Sequence, residues 1–397
     1  MIGVLEVFLW VLIAPLLGLS LYLLLLTLAA PFGQRRGSVP RCEPRMRLAV
    51  LIPAHNEELL IGRLLRSLEG LDYPRSLYDV FVVADNCEDM TAATVRRHRT
   101  KVYERFDEKD VGKGFALRWL LQRMGARRRL YDGFIIFDAD SLVSENFLQA
   151  MNDRLCSGSM AIQGYYTAYN PGQSPGASLR FLTLALVHYL RPLGKQALGA
   201  SCGLKGNGMC LARSVVERFG WEAFSLAEDV EHHLRLVSAG LRVDFAPEAM
   251  VWAQMPAGLR QAQSQNLRWE TGRLQAARQY VLPLLWRGLR TRSIAQVDGA
   301  VEQLVPPLSV LLLVSLLALV SAAFVGSVPL AASAAAALLS QGLYMAAGLW
   351  MARAPLDVCL SLIYVPAYVV WKVGLYARVL AGGGPARWAR TARTKPR

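Results

Sequence analysis

Phe137-Asp138-Ala139-Asp140-Ser141 sets two carboxylates one residue apart. On extended backbone, positions i and i+2 face the same way, so both can meet one cation. Hard divalent ions take such oxygen ligands and share them with substrate phosphates and water. The competing reading is an aspartate that caps a helix. Four apolar residues before the pair and a helical pattern after it favour the metal. Val83-Ala84-Asp85-Asn86 repeats the arrangement, where Asp85 either bonds a ribose hydroxyl or base N–H, or caps the next helix. Glu228-Asp229 opens a helical pattern over Val230–Ala239. The helix dipole stabilises an anion there, which suits a cap or a general base. His232 and His233 stand three and four residues beyond Asp229, a spacing that serves metal binding or, more ordinarily, packing. In Gln265-Asn266-Leu267-Arg268-Trp269, the guanidinium suits a bidentate grip on a diphosphate. Trp269 offers a flat face to a sugar, although Arg and Trp also mark a membrane interface.

These groups need a scaffold, and the stretch between about 45 and 280 supplies one. Apolar runs at Leu48–Ile52, Val80–Val83, Lys101–Phe106 and Gly133–Phe137 read as strands. Helical periods fall at Glu57–Leu71, Met90–His98, Gly114–Met124 and Glu145–Leu155. Alternation of this kind predicts βαβ units, a parallel sheet and an α/β fold. Such sheets bind ligands at the carboxyl ends of their strands, where the acids lie. Pro53-Ala54-His55-Asn56-Glu57 after the first strand is no GxGxxG, which argues against a nicotinamide dinucleotide. Gly112-Lys113-Gly114 lacks the upstream glycine and the following Ser or Thr of a P-loop.

The chain has 397 residues, 53% hydrophobic and 19% charged, against about 25% charged in ordinary soluble domains. Its mean hydropathy of +0.28 excludes disorder and a purely soluble protein. Val7–Gly33 and Gln303–Ala352 carry no charged side chain. A hydrocarbon core of about 30 Å takes about 20 apolar residues, so the first block fits one span. The second fits two, turning at Gly326-Ser327-Val328-Pro329. The first run is too long for a cleaved signal and has no Lys or Arg before it, so an anchor is expected. Arg35, Arg36, Arg41, Arg45 and Arg47 then place the following domain in the cytoplasm. Cys359–Trp371 is short and broken by Pro366. A full crossing there would put the basic tail, Arg387 to Arg397, outside. Three spans plus a re-entrant or surface-lying segment are therefore expected, with four full spans as the alternative.

The organisation is an N-terminal transmembrane helix over 5–32 and a domain over 45–280 with an interfacial helix near 258–290. Two transmembrane helices follow over 300–352, then a re-entrant, interfacial or fourth transmembrane segment over 355–380, and a basic tail over 381–397. Much of the net charge of +14 sits beside the membrane blocks, where each basic residue gains about 1 kcal/mol from anionic lipid. No stretch interleaves basic and aromatic residues along a groove, so nucleic acid is excluded as a partner. The six cysteines have neither CxxC spacing nor neighbouring histidines, so free thiols in a reducing compartment are expected.

Taken in order, Pro53-Ala54-His55-Asn56-Glu57, the Asp85 turn, Gly112-Lys113-Gly114, Asp138-Ala139-Asp140, Glu228-Asp229 and Gln-x-x-Arg-Trp at 265–269 resemble the membrane-embedded family 2 glycosyltransferases. Cellulose, hyaluronan and poly-N-acetylglucosamine synthases and ceramide glucosyltransferase belong to that group. The likeness covers about 48–275 and the flanking membrane helices. It implies a cytosolic GT-A domain (Rossmann-like), a nucleotide-sugar donor, usually UDP-linked, Mg²⁺ or Mn²⁺, and inversion by direct displacement. By resemblance, Pro53, Glu57, Asp85 and Lys113 line the nucleotide, and Asp138 and Asp140 hold diphosphate and metal, Asp140 most directly. Asp229, with Glu228 beside it, is the base. Gln265 and Arg268 close over the diphosphate, Trp269 stacks near the acceptor, and Gly206, Asn207 and Gly208 form an acceptor-side loop.

Two positions depart from the family pattern. Ala227 replaces the usual Thr and leaves the base intact, while Ala84 replaces the first of two acids, which bears on the role given to Asp85. The implied function is transfer of a sugar to a polysaccharide acceptor at the cytosolic face of the plasma (inner) membrane. The alternative is transfer of a single sugar to a membrane lipid. The modest number of spans implies that polymer export would need a homo-oligomer or an accessory subunit.

Overall fold

The computed structural model describes residues 2–255 and 258–383. Its strands are β1 (Leu48–Ala54), β2 (Tyr78–Asp85), β3 (Lys101–Arg105), β4 (Gly133–Ile136), β5 (Ser141–Val143), β6 (Ala161–Ala168), β7 (Met209–Ala212) and β8 (Asp244–Ala253). They form one sheet in the order β3-β2-β1-β4-β7-β6-β8-β5. The first four are parallel, as the apolar runs predict. The other half is mixed: β7 runs antiparallel to β4 and β6, β8 is parallel to β6, and β5 is antiparallel to β8. The expected all-parallel sheet is therefore half of the one that forms. β5 and β7 have three and four residues, too few for a periodic signal. The β6–β8 register breaks between Gly164 and Tyr165, so neither strand carries a clean pattern.

The helices are α1 (Ile2–Arg36), α2 (Ile61–Glu69), α3 (Thr91–Val95), α4 (Lys113–Met124), α5 (Phe147–Cys156), α6 (Pro175–Leu184), α7 (Arg191–Leu198), α8 (Arg213–Phe219) and α9 (Glu228–Ser238). A π-turn, Ala185–Leu190, joins α6 to α7. After them come α10 (Leu259–Thr291), α11 (Ile294–Leu304), α12 (Leu308–Val325), α13 (Val328–Met351), α14 (Leu356–Leu360) and α15 (Val365–Leu380). Val50 and Ile52 of β1 pack against Leu64, Leu65 and Met151 on one face. Leu51 packs with Leu117, Leu120 and Trp221 on the other. A strand buried on both faces reads as a continuous apolar run, which is why β1 is visible in the sequence.

Among the described residues, four segments are long and apolar enough to cross a membrane: Glu6–Arg36, Leu308–Val325, Val328–Met351 and Leu356–Leu380. The fourth is interrupted by a 3₁₀ turn at Ser361–Tyr364. Of the expected basic tail, residues 384–397 lie outside the described residues. Three of the four are tied by a polar knot, in which Gln341 Nε2 donates to Ser20 Oγ at 2.9 Å and Ser315 Oγ at 2.7 Å. Small residues bring α1 onto α7. A methyl group on Gly33 or Gly194 would overlap the backbone of Leu193 or Leu26. Such close helix approach favours van der Waals packing in lipid.

Candidate active site

Each chemical group sits where an element ends. Pro53 is near the end of β1, and Asn56, at φ +54°, turns the chain toward Glu57. Asp85 closes β2, Lys113 opens α4, and Asp138 and Asp140 follow β4. Glu228 and Asp229 form the first turn of α9, while Gln265, Arg268 and Trp269 lie on α10. All of these except Asn56, with Gly206, line one cavity of about 420 Å³. Asn207 and Gly208 stand outside that lining. The Asn207 side chain accepts from the Asp138 amide at 3.1 Å and donates to Ser141 Oγ at 2.8 Å, bracing the acidic turn from behind. Gly208 packs against Val251 and Phe147.

Lys113 is the electrostatic hub. Its Nζ donates to Asp138 Oδ1 at 2.5 Å and to the Gly206 carbonyl, with Glu228 Oε1 at 3.9 Å. Burial works against its charge, but Asp138 and Glu228 outweigh that and hold the ammonium above its usual range. Burial raises Glu228, to about 7, and its neighbour Asp229. Asp85 is engaged by Arg105, Nη1 to Oδ1 at 2.6 Å, although burial still raises its carboxyl. The two histidines pack: His232 stacks on Trp221 at 4.4 Å, and His233 Nε2 meets Ser201 Oγ at 2.9 Å.

Among the described residues, no three His, Cys, Asp or Glu side chains cluster to cage a metal. Mg²⁺-type sites do not need such a cage, because one or two carboxylates plus substrate phosphates suffice. The pair Asp138 and Asp140 fits that donor set, with Asp138 shared with Lys113. Gln254 Oε1 and Gln265 Oε1 line the same cavity and are buried with no hydrogen-bond partner among the described residues. Buried acceptors of this kind are costly unless a ligand donor meets them.

Sequence reasoning missed the deeper wall of the cavity. Arg180, His188, Arg191, Lys205 and Glu302 line it, with Tyr344 of α13. A signal was present: His188, Arg191 and Lys195 recur at helical spacing in an otherwise apolar stretch.

Comparison with known proteins agrees with this geometry. Residues 44–272 match the sequence model of the family described as "Glycosyltransferase like family 2". The probable glycosyltransferase YdaM of Bacillus subtilis is 27% identical over 253 residues, which are 59% of this chain and 58% of that protein. Beta-monoglucosyldiacylglycerol synthase of Synechocystis is 27% identical over 200 residues, 49% of this chain and 40% of that protein. The chain thus spans about half the length of these relatives. In fold it is similar to the mannosyltransferase PcManGT of Pyrobaculum calidifontis, solved with GDP-Man and Mn²⁺. The TM-score is 0.55 at 19% identity, over 92% of this chain and 99% of that one. With the family pattern spanning more than half its length and its acids gathered at the strand ends of a GT-A-like sheet, the chain belongs to the family 2 glycosyltransferases.

Proposed function

We propose that this enzyme moves a sugar, with inversion, from a nucleotide-diphosphate sugar to a hydroxyl of a membrane lipid. The observation that carries the acceptor is the continuity of the cavity. It joins Asp140, Asp229 and Arg268 to walls built from Leu308, Leu312 and Met345 of the membrane helices and Val369 of the last apolar segment. A growing polysaccharide needs a polar route, whereas aliphatic walls suit acyl chains. The name of the Synechocystis relative, beta-monoglucosyldiacylglycerol synthase, is in keeping with this reading.

In this mechanism the nucleotide lies along Pro53, Glu57 and Asp85, with Gln265 and Arg268 closing over the diphosphate. A divalent ion held by Asp140 and Asp138 would supply Lewis-acid stabilisation to the leaving diphosphate. Arg268 adds fixed positive charge where negative charge develops. Asp229 accepts the proton of the attacking hydroxyl, and Glu228 and Lys113 set its field. Trp269 and Gly206 shape the acceptor side. The domain faces the cytoplasm in this proposal, and the last apolar segment lies along that face rather than crossing. Two contacts with the domain support that placement: Lys372 Nζ meets Glu270 Oε1 at 2.8 Å, and the Asp357 carboxylate abuts Gly172.

The test is UDP release by the detergent-purified chain with Mn²⁺ and lipid extract across a panel of UDP-sugars. Release and one sugar on an extractable lipid are expected, with Asp140→Asn at least about 100-fold slower. A ladder of sugars would favour polysaccharide assembly, and no release from any donor would remove the enzyme reading.

Gly206 gives a second expected result. Its φ is +79°, and an added Cβ would stand 3.2 Å from Asp229 Oδ2. Left-handed backbone costs an L-residue about 1–2 kcal/mol, so Gly206→Ala should strain the loop against the base. A fall in kcat/KM of about tenfold or more is expected, with circular dichroism unchanged. Full activity would show that the loop does not set the position of Asp229.

A further inference from the structure

The deep wall of the cavity holds more buried positive charge than it neutralises. Arg180 and Arg191 are 6% and 5% exposed. The Arg180 guanidinium lies 4.8 Å from the Trp269 ring centre and has no carboxylate within 4 Å among the described residues. Arg191 Nε donates to the Tyr344 hydroxyl at 2.7 Å and likewise meets no carboxylate. Lys205 Nζ is 3.7 Å from Glu302, but that acid already accepts from Lys195 at 2.6 Å. Asp298 faces Lys195 at 2.8 Å. Among the described residues, Glu302 and Asp298 thus serve Lys195, Lys205 and Arg191, while Glu270, which shares the cavity with Arg180, already pairs with Lys372 at 2.8 Å. Buried charge of one sign is costly unless an opposite charge joins it.

Place and neighbours say what that anion is. Tyr344 lies two turns from the domain-side end of α13, Met351, and Leu308 is the first residue of α12. The cations therefore sit where apolar walls meet the polar domain, the level of lipid head groups. Lys205 directly precedes Gly206, against which Asp229 rests, so the basin adjoins the base. A neutral glycan would leave the charge unmet, while a lipid phosphate would meet it with charge-assisted hydrogen bonds.

We propose that Arg180, Arg191 and Lys205 bind the phosphate of an anionic lipid acceptor and so present its hydroxyl to Asp229. This rests on the lipid-acceptor reading and narrows it. In the transfer, the lipid oxygen bonds the anomeric carbon as the carbon–oxygen bond to the diphosphate breaks. The electron pair leaves with the diphosphate, and the hydroxyl proton passes to Asp229. The cations only position the acceptor.

Native mass spectrometry of the full chain in detergent, with phosphatidylglycerol against dioleoylglycerol, tests the basin. Calorimetry with UDP and Mn²⁺ runs alongside. One phosphatidylglycerol should be retained in preference to dioleoylglycerol. Arg191→Gln should weaken that retention about tenfold or more, Arg191→Lys should keep part of it, and UDP affinity should stay within about twofold. Should Arg191→Gln fail to fold, Arg180→Gln, whose guanidinium lies over the Trp269 ring and meets no carboxylate within 4 Å among the described residues, carries the same expectation. Equal retention of the two lipids, unchanged retention in the variants, or a loss confined to UDP would overturn the proposal. UDP release from sugar donors decides the underlying reading separately, because retention is measured without turnover.

Discussion

Asp229→Asn is expected to lower kcat by about 10²–10⁴-fold, the span of general-base catalysis, and to leave UDP affinity within about twofold. The amide keeps the shape of the side chain but cannot take a proton. Asp229 sits in the first turn of α9 with Gly206 against its carboxylate and Lys113 nearby. Burial pushes Asp229 upward, and pushes its neighbour Glu228 to about 7. The anion is the working form of a base, so activity should fail as pH drops through these raised values. The acid limb of kcat/KM should therefore lie above the ordinary carboxylate range. Single-turnover transfer across pH 5–9 separates the two effects. An Asn variant within a few-fold of the wild-type rate would remove Asp229 as the base.

What the sequence discloses, and what it hides, follows from where each residue is buried. β1, β2 and β4 are visible because both of their faces are covered, which writes an uninterrupted apolar run into the chain. The acids after them are visible because open sheets place ligands at those ends. The helix of Glu228 and the one carrying Arg268 announce themselves through charge at a start and through amphipathic period. The other half of the sheet stays hidden. β6 includes Gln163, whose side chain bonds the backbone of Asn207 and Gly164, so a polar residue occupies an interior strand position. The resemblance places Asn207 in an acceptor-side loop with Gly206 and Gly208. Adjacency in sequence does not say which way a side chain points, and this one points behind the acidic turn. Arg180, His188, Arg191 and Lys195 draw no reading from the sequence, where basic residues at helical spacing ordinarily face water. Only three-dimensional packing shows that all four are turned inward.

Lys195→Met is expected to destabilise the folded protein by about 3–5 kcal/mol, the usual cost of removing one partner from a buried ion network. Lys195 on α7 is fully buried and faces two acids of α11, Glu302 at 2.6 Å and Asp298 at 2.8 Å. The Glu302 contact is a hydrogen bond, while Asp298 Oδ2 meets the ammonium as an ion contact. Tyr22 of the first span donates to the other oxygen of Asp298 at 2.8 Å. One ammonium thus ties α1, α7 and α11 together where the domain meets the membrane. Burial opposes the charge on Glu302, but Lys195, Lys205 and Arg191 outweigh it and hold that carboxyl well below its usual range. Its contribution is therefore present at neutral pH and is lost only as pH falls far into acid. Methionine matches the length of lysine and leaves two carboxylates in a dry site. A drop in the thermal midpoint on the order of 10 °C follows, at about 2–4 °C per kcal/mol. Lys195→Met combined with Asp298→Asn and Glu302→Gln should recover much of it, because uncharged replacement of a buried network is often neutral. If the single variant melts with the wild type, the network carries no stability. If the triple variant melts no higher than the single one, the loss comes from packing rather than from stranded charge.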